Sequence, residues 1–245
     1  MRLIYKKYTK EKDMKETRLK QITDGLWYAE DDLFMGGILH FRCRMTIVRL
    51  SSGALWIHSP IHIDDALAKE IEDIGSVEYL VAPSKLHYLF MKDAMQRYPN
   101  ASSFAAPGLQ DKRQDLTFDE VLTDQPPDSW QEDFQQHIIQ GAPDVNEVIF
   151  LHKASQSLIV TDLIFNIHSC KNWISPWIFR MVGVYKKTAQ SRLWRQFVKD
   201  KEPARKSLQH ILEWDFTRLI MAHGELVETG GQQALAQATT WMQSR

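Results

Sequence analysis

The chain has 245 residues, of which 44% are hydrophobic and 25% charged, the composition of an ordinary soluble globular protein. Its net charge of −1 provides no overall positive field, so general nucleic-acid binding is disfavoured. The charged N-terminus lacks the apolar core of a signal peptide, and no apolar run reaches the roughly 18 residues of a membrane span. Two cysteines without a CxxC motif, Cys43 and Cys170, favour reduced thiols and a cytoplasmic location.

Residues 1–20 are highly charged and are predicted to form a mobile arm ahead of a single domain over residues 21–245. The first half of that domain alternates strands with helices, which is typical of an α/β protein. Residues 63–74 carry apolar side chains at helical spacing, and a Ser-Ser-Gly turn joins two β-branched and aromatic runs. The predicted order is an interrupted strand at 21–28, strands at 45–50 and 54–58, a helix at 63–74, a strand at 77–81, a loop at 82–87, a helix at 88–98 and a strand at 103–106.

The second half begins with a polar, irregular stretch over residues 109–136, with short strands predicted near 120–122 and 137–139. A hairpin at 147–160 then delivers Thr161-Asp162 at the end of a buried strand. After a helical stretch at 167–215, a last strand at 216–222 delivers His223-Gly224 in the same way, before a helix at 231–242. A polar residue at the exit of a buried strand is a common way to hold a side chain at a site.

Five short motifs follow one another along the chain: His58-Ser59-Pro60, Ala82-Pro83-Ser84 with His87, residues 104–109 (FAAPGL), residues 161–166 (TDLIFN) and His223-Gly224. In order and spacing this pattern resembles the metallo-β-lactamase superfamily, and within it a branch of unknown function. The resemblance covers residues 21–242. It implies a four-layer αββα sandwich, in which two mixed sheets pack face to face with helices outside.

The resemblance also implies which metal ligands have changed. In the superfamily three histidines hold a first metal, and neither Ala nor Ser is an adequate zinc ligand. The matching positions are Ala82, Ser84 and Ala142. The second site has four ligand positions, which are Leu86, His87, Asp162 and His223 here, and all except Leu86 keep a residue that can bind a metal. The resemblance therefore implies one zinc or iron ion on the two histidines and the aspartate, with the absence of any metal as the alternative.

Two functions of different classes remain. In the favoured one, the protein is a degenerate member that binds a small molecule or a partner without binuclear hydrolase activity. In the other, it is a mononuclear metal-dependent hydrolase with His87 and Asp162 as catalytic residues. A carboxylate or phosphate would suit this site as a ligand. The residues expected to contact that ligand are His58, Ser84, Lys85 and Tyr88. Structural roles stay open: His87 as a hydrogen-bonded histidine, Asp162 as a helix cap and His223 as part of a strand-ending turn.

The segment 171–205 interleaves tryptophans with basic residues. An amphipathic helical hairpin covering the sheet is favoured over contact with RNA or a membrane surface. No nucleic-acid partner and no membrane span are expected, and the sequence defines neither the ligand nor the oligomeric state.

Overall fold

A computed structural model describes residues 18–36 and 38–243 of the chain. Residues 1–17 of the predicted mobile arm therefore lie outside the described part of the chain. At the start of the described part, the backbone N–H groups of Arg18 and Leu19 donate to the Glu70 carboxylate, and the Leu19 side chain is buried. The described chain is thus already packed against its neighbours at this point.

Two mixed β-sheets organise the fold. The first contains seven strands in chain order: β1 (Lys20–Thr23), β2 (Leu26–Met35), β3 (Leu39–Arg49), β4 (Leu55–His58), β5 (Val77–Ala82), β6 (Ser102–Ala105) and β7 (Glu120–Val121). Strands β1 to β4 pair antiparallel, and β4 to β7 pair parallel. The remaining strands are β8 (Phe134–Ile138), β9 (Val148–His152), β10 (Ser157–Val160), β11 (Phe165–Asn166), β12 (Thr188–Ala189) and β13 (Arg218–Met221).

The second sheet has the order β13-β10-β9-β8, while β11 and β12 form a small ribbon. Strand β10 pairs antiparallel with β9 and parallel with β13. The helices are α1 (Asp65–Glu72), α2 (Met91–Arg97), α3 (Leu109–Lys112), α4 (Ser175–Met181), α5 (Arg192–Phe197), α6 (Lys201–Leu212), α7 (Gly231–Ala238) and α8 (Thr240–Gln243). No helix in these described ranges is long and apolar enough to cross a bilayer.

The alternation of side chains along the strands builds three hydrophobic layers. In β4, Trp56 faces one side of the first sheet, whereas Leu55 and Ile57 face the other. Trp56 packs with Phe134 and Phe150 of the second sheet, so the two sheets bury their inner faces against each other. Apolar residues of α1 and α2 cover the outer face of the first sheet, and those of α6 and α7 cover the outer face of the second. The result is the predicted four-layer αββα sandwich.

Several predicted segments differ from the structure: β2 runs on to Met35, α3 lies in the stretch predicted as irregular, β8 begins at Phe134, and two further differences lie near the site. Strand β3 begins at Leu39 rather than at residue 45, because residues 39–44 continue the pairing with β2. The stretch at 167–215 is not uniformly helical, since the ribbon strand β12 separates α4 from α5. Both differences concern the site, because β3 and the ribbon lie against one of its histidines.

Candidate metal centre

Three loop residues bring their side chains together at one edge of the sandwich. Asp162 and His223 each stand two residues beyond adjacent parallel strands, β10 and β13, whose last residues are paired in register. His87 comes from the loop after β5. Its Nε2 lies 3.3 Å from Asp162 Oδ2, and His223 Nε2 lies 3.4 Å from Asp162 Oδ1. The three candidate ligand atoms all lie within 4.8 Å of one another, although 75 residues separate His87 from Asp162.

The backbone around His223 explains why a glycine follows it. Gly224 has a φ of 96°, and a Cβ placed there would lie 2.1 Å from the carbonyl oxygen of Asn166. That carbonyl accepts a hydrogen bond from the N–H of Glu225, and the Asn166 N–H donates to the carbonyl of His223. Only glycine allows this close approach, so the turn that aims His223 depends on it.

Ser84 holds the loop that carries His87. Its buried hydroxyl oxygen accepts N–H bonds from Leu86 at 3.2 Å and from His87 at 3.1 Å. The same loop is tied to the second sheet, because the N–H of Val148 in β9 donates to the carbonyl of Pro83, and the N–H of Lys85 donates to the carbonyl of Val145 ahead of that strand. A serine that bonds the backbone two and three residues ahead stabilises a tight turn. Ser84 thus supports the position of His87 from within the loop.

The outer nitrogens of both histidines have fixed partners. His223 Nδ1 lies 2.7 Å from the carbonyl oxygen of Arg42, which can only accept, so this nitrogen carries the proton. His87 Nδ1 lies 2.8 Å from Ser59 Oγ. Ser59 has a φ of 53° ahead of Pro60, an unfavourable conformation of the kind often found at functional sites. In both rings, Nε2 is therefore directed at Asp162.

Charge at the centre is balanced between the carboxylate and the imidazoles. Burial alone would raise the pKa of Asp162, but His87 and His223 outweigh it and hold that pKa well below its usual range. Burial would conversely lower the pKa of His223, yet the neighbouring Cys43 thiol and the Asp162 carboxylate raise it. Asp162 is consequently ionised at neutral pH, as a metal ligand must be.

Two of the three separations in the donor set suit one divalent transition-metal ion. Ligand atoms about 2.0–2.1 Å from a tetrahedral zinc lie roughly 3.3–3.4 Å apart, close to the separations between Asp162 and the two imidazoles. Hydrogen-bonded outer nitrogens are typical of metal-binding histidines. Two histidines and one carboxylate leave open positions for a further ligand.

The other residues predicted to contact a ligand have different surroundings. His58 is fully buried, stacks on Trp56 at 5.5 Å between ring centroids and lies near His87; burial, with a smaller effect of His87, lowers its pKa to about 3. Lys85 Nζ donates to the carbonyl of Pro143 at 3.0 Å. Lys112 Nζ lies 4.9 Å from the centre of the Tyr88 ring. His58 is therefore buried near His87, while Lys85 and Tyr88 contact neighbouring segments.

Sequence reasoning missed Glu147, which lies behind Asp162. Its Oε1 accepts the N–H of Thr161 at 2.6 Å, and its buried Oε2 has no hydrogen-bond partner among the described residues. Burial, followed by the charge of Asp162, raises the pKa of Glu147 to about 8. An acidic residue directly before the apolar strand β9 was the only available signal.

Arg44 is a second residue without a sequence signal. Its guanidinium is buried, donates to the carbonyls of Met221 and Gly224 at 2.5 Å each, and pairs with Glu30. Arg44 therefore donates hydrogen bonds to the backbone before and after His223 and stabilises the turn that carries this histidine.

Comparisons with known proteins identify the class first. The fold matches a solved metallo-β-lactamase from Pontibacter korlensis with 13% sequence identity and a TM-score of 0.63, covering 93% of this chain and 99% of that one. It matches one from Hirschia baltica with 12% identity and a TM-score of 0.62, covering 92% of this chain and 96% of that one. It also matches FIM-1 from Pseudomonas aeruginosa in a mono-zinc form with 13% identity and a TM-score of 0.60, covering 93% of this chain and 96% of that one. At these identities the likeness shows the metallo-β-lactamase fold.

The family follows from the sequence itself. Residues 24–178 match the family described as a domain of unknown function, DUF4336, and the chain belongs to it. No curated protein matches the chain.

Proposed function

We propose that the protein binds one divalent transition-metal ion on His87, Asp162 and His223 and uses it to hold a small anionic ligand, without binuclear hydrolase activity. The observation that carries the proposal is the convergence of the three ligand atoms within 4.8 Å. The hydrogen bonds that fix the outer nitrogen of each histidine support it further.

The burial of the altered ligand positions supports a single metal. Ala82 lies in the core between the first sheet and its helices, and Ala142 lies in the core between the second sheet and its helices. The hydroxyl oxygen of Ser84 already accepts two backbone N–H bonds. None of the three therefore offers a donor atom to a second ion.

The charge of the donor set favours an anion. When a divalent ion binds, His223 gives up the proton that its raised pKa favours, and two neutral imidazoles with one carboxylate only partly neutralise the ion, which leaves a positive centre. When bound, the metal would supply a Lewis acid with open positions for an oxygen ligand. The protein's own contribution is to hold Asp162 ionised, to fix both ring orientations and to keep the three side chains largely away from bulk water.

A mononuclear hydrolase is the second candidate, because two histidines and a carboxylate with open positions also form catalytic zinc sites. The two candidates predict different results when metal-loaded protein is given anions and hydrolysable esters.

Thermal unfolding with zinc or iron(II), with and without inorganic phosphate, tests the binding function. Phosphate should raise the Tm of the metal-loaded protein and of the control His210→Ala, whose exposed histidine lies outside the site. It should have no such effect on Asp162→Ala. Phosphate stabilisation that persists in Asp162→Ala would contradict the proposal.

Turnover of nitrophenyl esters and phosphodiesters, measured on the same samples, separates the two candidates. The proposal predicts none above the metal-only background. Metal-dependent turnover that Asp162→Ala removes and His210→Ala retains would establish the hydrolase instead.

A further inference from the structure

One segment of the chain has a charge unlike the rest. Residues 163–199 contain seven basic residues and no Asp or Glu, whereas the whole chain has a net charge of −1. Two of the seven are neutralised, Lys171 by Asp32 and Lys199 by Asp144. The other five are exposed and form no ion pair with any carboxylate of the described residues: Arg180, Lys186, Lys187, Arg192 and Arg195.

The same segment exposes four large apolar side chains, and Ile38 of the turn between β2 and β3 adds a fifth. We call this surface the Trp177 face; it consists of Ile38, Trp173, Trp177, Met181 and Leu193, whose exposures run from 54% at Leu193 to 77% at Trp173. Trp177 and Met181 lie four residues apart on helix α4, the spacing of one helical face, and Trp173 lies four residues ahead of Trp177 in the bend before the helix. The opposite side of α4 buries Phe179. Helix α4 therefore has one face packed on the protein and one apolar face that the described chain leaves uncovered.

Two of the unpaired cations, Arg180 and Arg192, border this apolar surface, and Lys186 lies beside Arg180 over the Tyr185 ring. The Arg180 guanidinium lies 5.5 Å from the centre of the Trp177 ring, and Arg192 Nη1 donates to the carbonyl of Met181 at 3.1 Å. Asn172 Nδ2 donates to the carbonyl of Ile38 at 2.7 Å, which joins the β2–β3 hairpin to the same region. Apolar and cationic groups are thus interleaved.

We propose that the Trp177 face docks on the surface of an anionic lipid bilayer. Tryptophan sits favourably at the level of lipid headgroups, apolar side chains enter the acyl boundary, and Lys and Arg attract anionic headgroups. RNA fits less well, since the exposed Met181, Leu193 and Ile38 cannot stack on bases as aromatic rings do. A second copy also fits less well, because two surfaces of the same positive charge repel each other.

The docking face and the candidate metal centre share one apolar cluster. Phe179, on the buried side of α4, packs edge-on against Phe41 at 6.5 Å, and Phe41 packs against His223 at 4.8 Å. Docking would therefore hold the His223 side of the centre next to the bilayer. The docking proposal itself is independent of metal binding.

Flotation of the full chain with vesicles tests the proposal. The protein should float with vesicles of phosphatidylcholine mixed with phosphatidylglycerol and much less with phosphatidylcholine alone. The double variant Lys186→Gln/Lys187→Gln should bind about 25-fold more weakly, at roughly fivefold per lysine. The control Lys92→Gln/Lys206→Gln removes the same charge from exposed lysines outside the segment and should bind as the wild type does.

A second variant tests the apolar part. Trp177→Ser/Met181→Ser should lose at least about tenfold in binding, with an unchanged Tm because both side chains are exposed. Three outcomes would overturn the proposal: no flotation with either vesicle, equal weakening by the control pair, or RNA binding or self-association that depends on these residues while lipid binding is absent.

Discussion

Two sets of positions that the sequence resemblance matches to metal ligands of the metallo-β-lactamase superfamily differ sharply in this molecule. His87, Asp162 and His223 direct their ligand atoms at one point, and hydrogen bonds to Ser59 and Arg42 fix the two rings. The other set is Ala82, Ser84 and Ala142, and its two alanines are part of the hydrophobic packing, each in a separate core. Ser84 serves the loop that carries His87.

Under the proposed function, this difference means that the support for one metal is kept where the ligands for the other are absent. At the polar set, each histidine has an outer partner that orients its ring. At the apolar set, restoring an imidazole would require space that the packed core does not contain. The polar set should therefore be easy to break and the apolar set hard to rebuild.

The largest effect is expected from breaking the polar set at its centre. Asp162→Ala removes the only negative charge and the group that both imidazoles face, so metal binding should be lost. The affinity should fall by more than the roughly 100-fold that removal of an outer partner can cause. Competition with a chromophoric chelator measures the change, and His210→Ala is the matched control. Affinity within tenfold of wild type would mean that the metal, if bound, is held elsewhere.

Glu147 should make the stability of the metal-free protein depend on pH. Its folded pKa of about 8 exceeds the ordinary value of 4.5, so the native state keeps a proton that the unfolded state releases. The free energy of unfolding should therefore fall as the pH rises from 4.5 to 8 and stay level above that. The size of the fall is on the order of 5 kcal/mol.

Glu147→Gln keeps the size of the side chain and an acceptor for the Thr161 N–H, but it cannot ionise. The free energy of unfolding of this variant, measured with denaturant across the same pH range, should lack the fall that the ionisation of Glu147 causes in the wild type. Parallel curves for the two proteins would show that Glu147 is already ionised in the native state.

Rebuilding the apolar set should destabilise the protein without adding a metal. Ala142→His forces an imidazole into the core under the second sheet, at a cost of about 1–3 kcal/mol. Gln237→His, on the exposed side of α7, is the control and should leave stability unchanged. Denaturant unfolding together with elemental analysis checks both points. A stable Ala142→His variant with a second bound ion would reverse the conclusion.

The smallest effect concerns the outer partner of His87. Ser59→Ala removes the hydroxyl and should weaken metal binding about 10- to 100-fold without unfolding the protein. Ser59→Gly removes the hydroxyl and also relieves the positive φ. It should bind metal as weakly as Ser59→Ala but unfold at a higher denaturant concentration. Wild-type affinity in both variants would show that the Ser59 hydroxyl does not orient the ring.

Much of the fold was predictable from local signals. The hairpins, the α1 segment and the strands that deliver Asp162 and His223 have periodicities that the tertiary structure keeps. The start of β3 was missed because residues 39–44 (LHFRCR) mix charged and aromatic residues. They are in a strand because they pair with β2 and contact the turn of His223, which are long-range causes.

The site was predictable only in part, for a related reason. Strand-end positions and the resemblance pointed to His87, Asp162 and His223, because parallel neighbouring strands end at one edge. Glu147 and Arg44 read locally as surface charges next to strands. Their burial depends on packing between segments far apart in the chain, which a single sequence does not display.

The most direct test of the central claim is the metal content of the full-length protein after reconstitution with zinc or iron(II) and removal of loosely bound ions. Elemental analysis should find one ion per chain in the wild type and none in the double variant His87→Ala/His223→Ala. Two ions per chain, no ion in the wild type, or an ion retained by the double variant would each contradict the account.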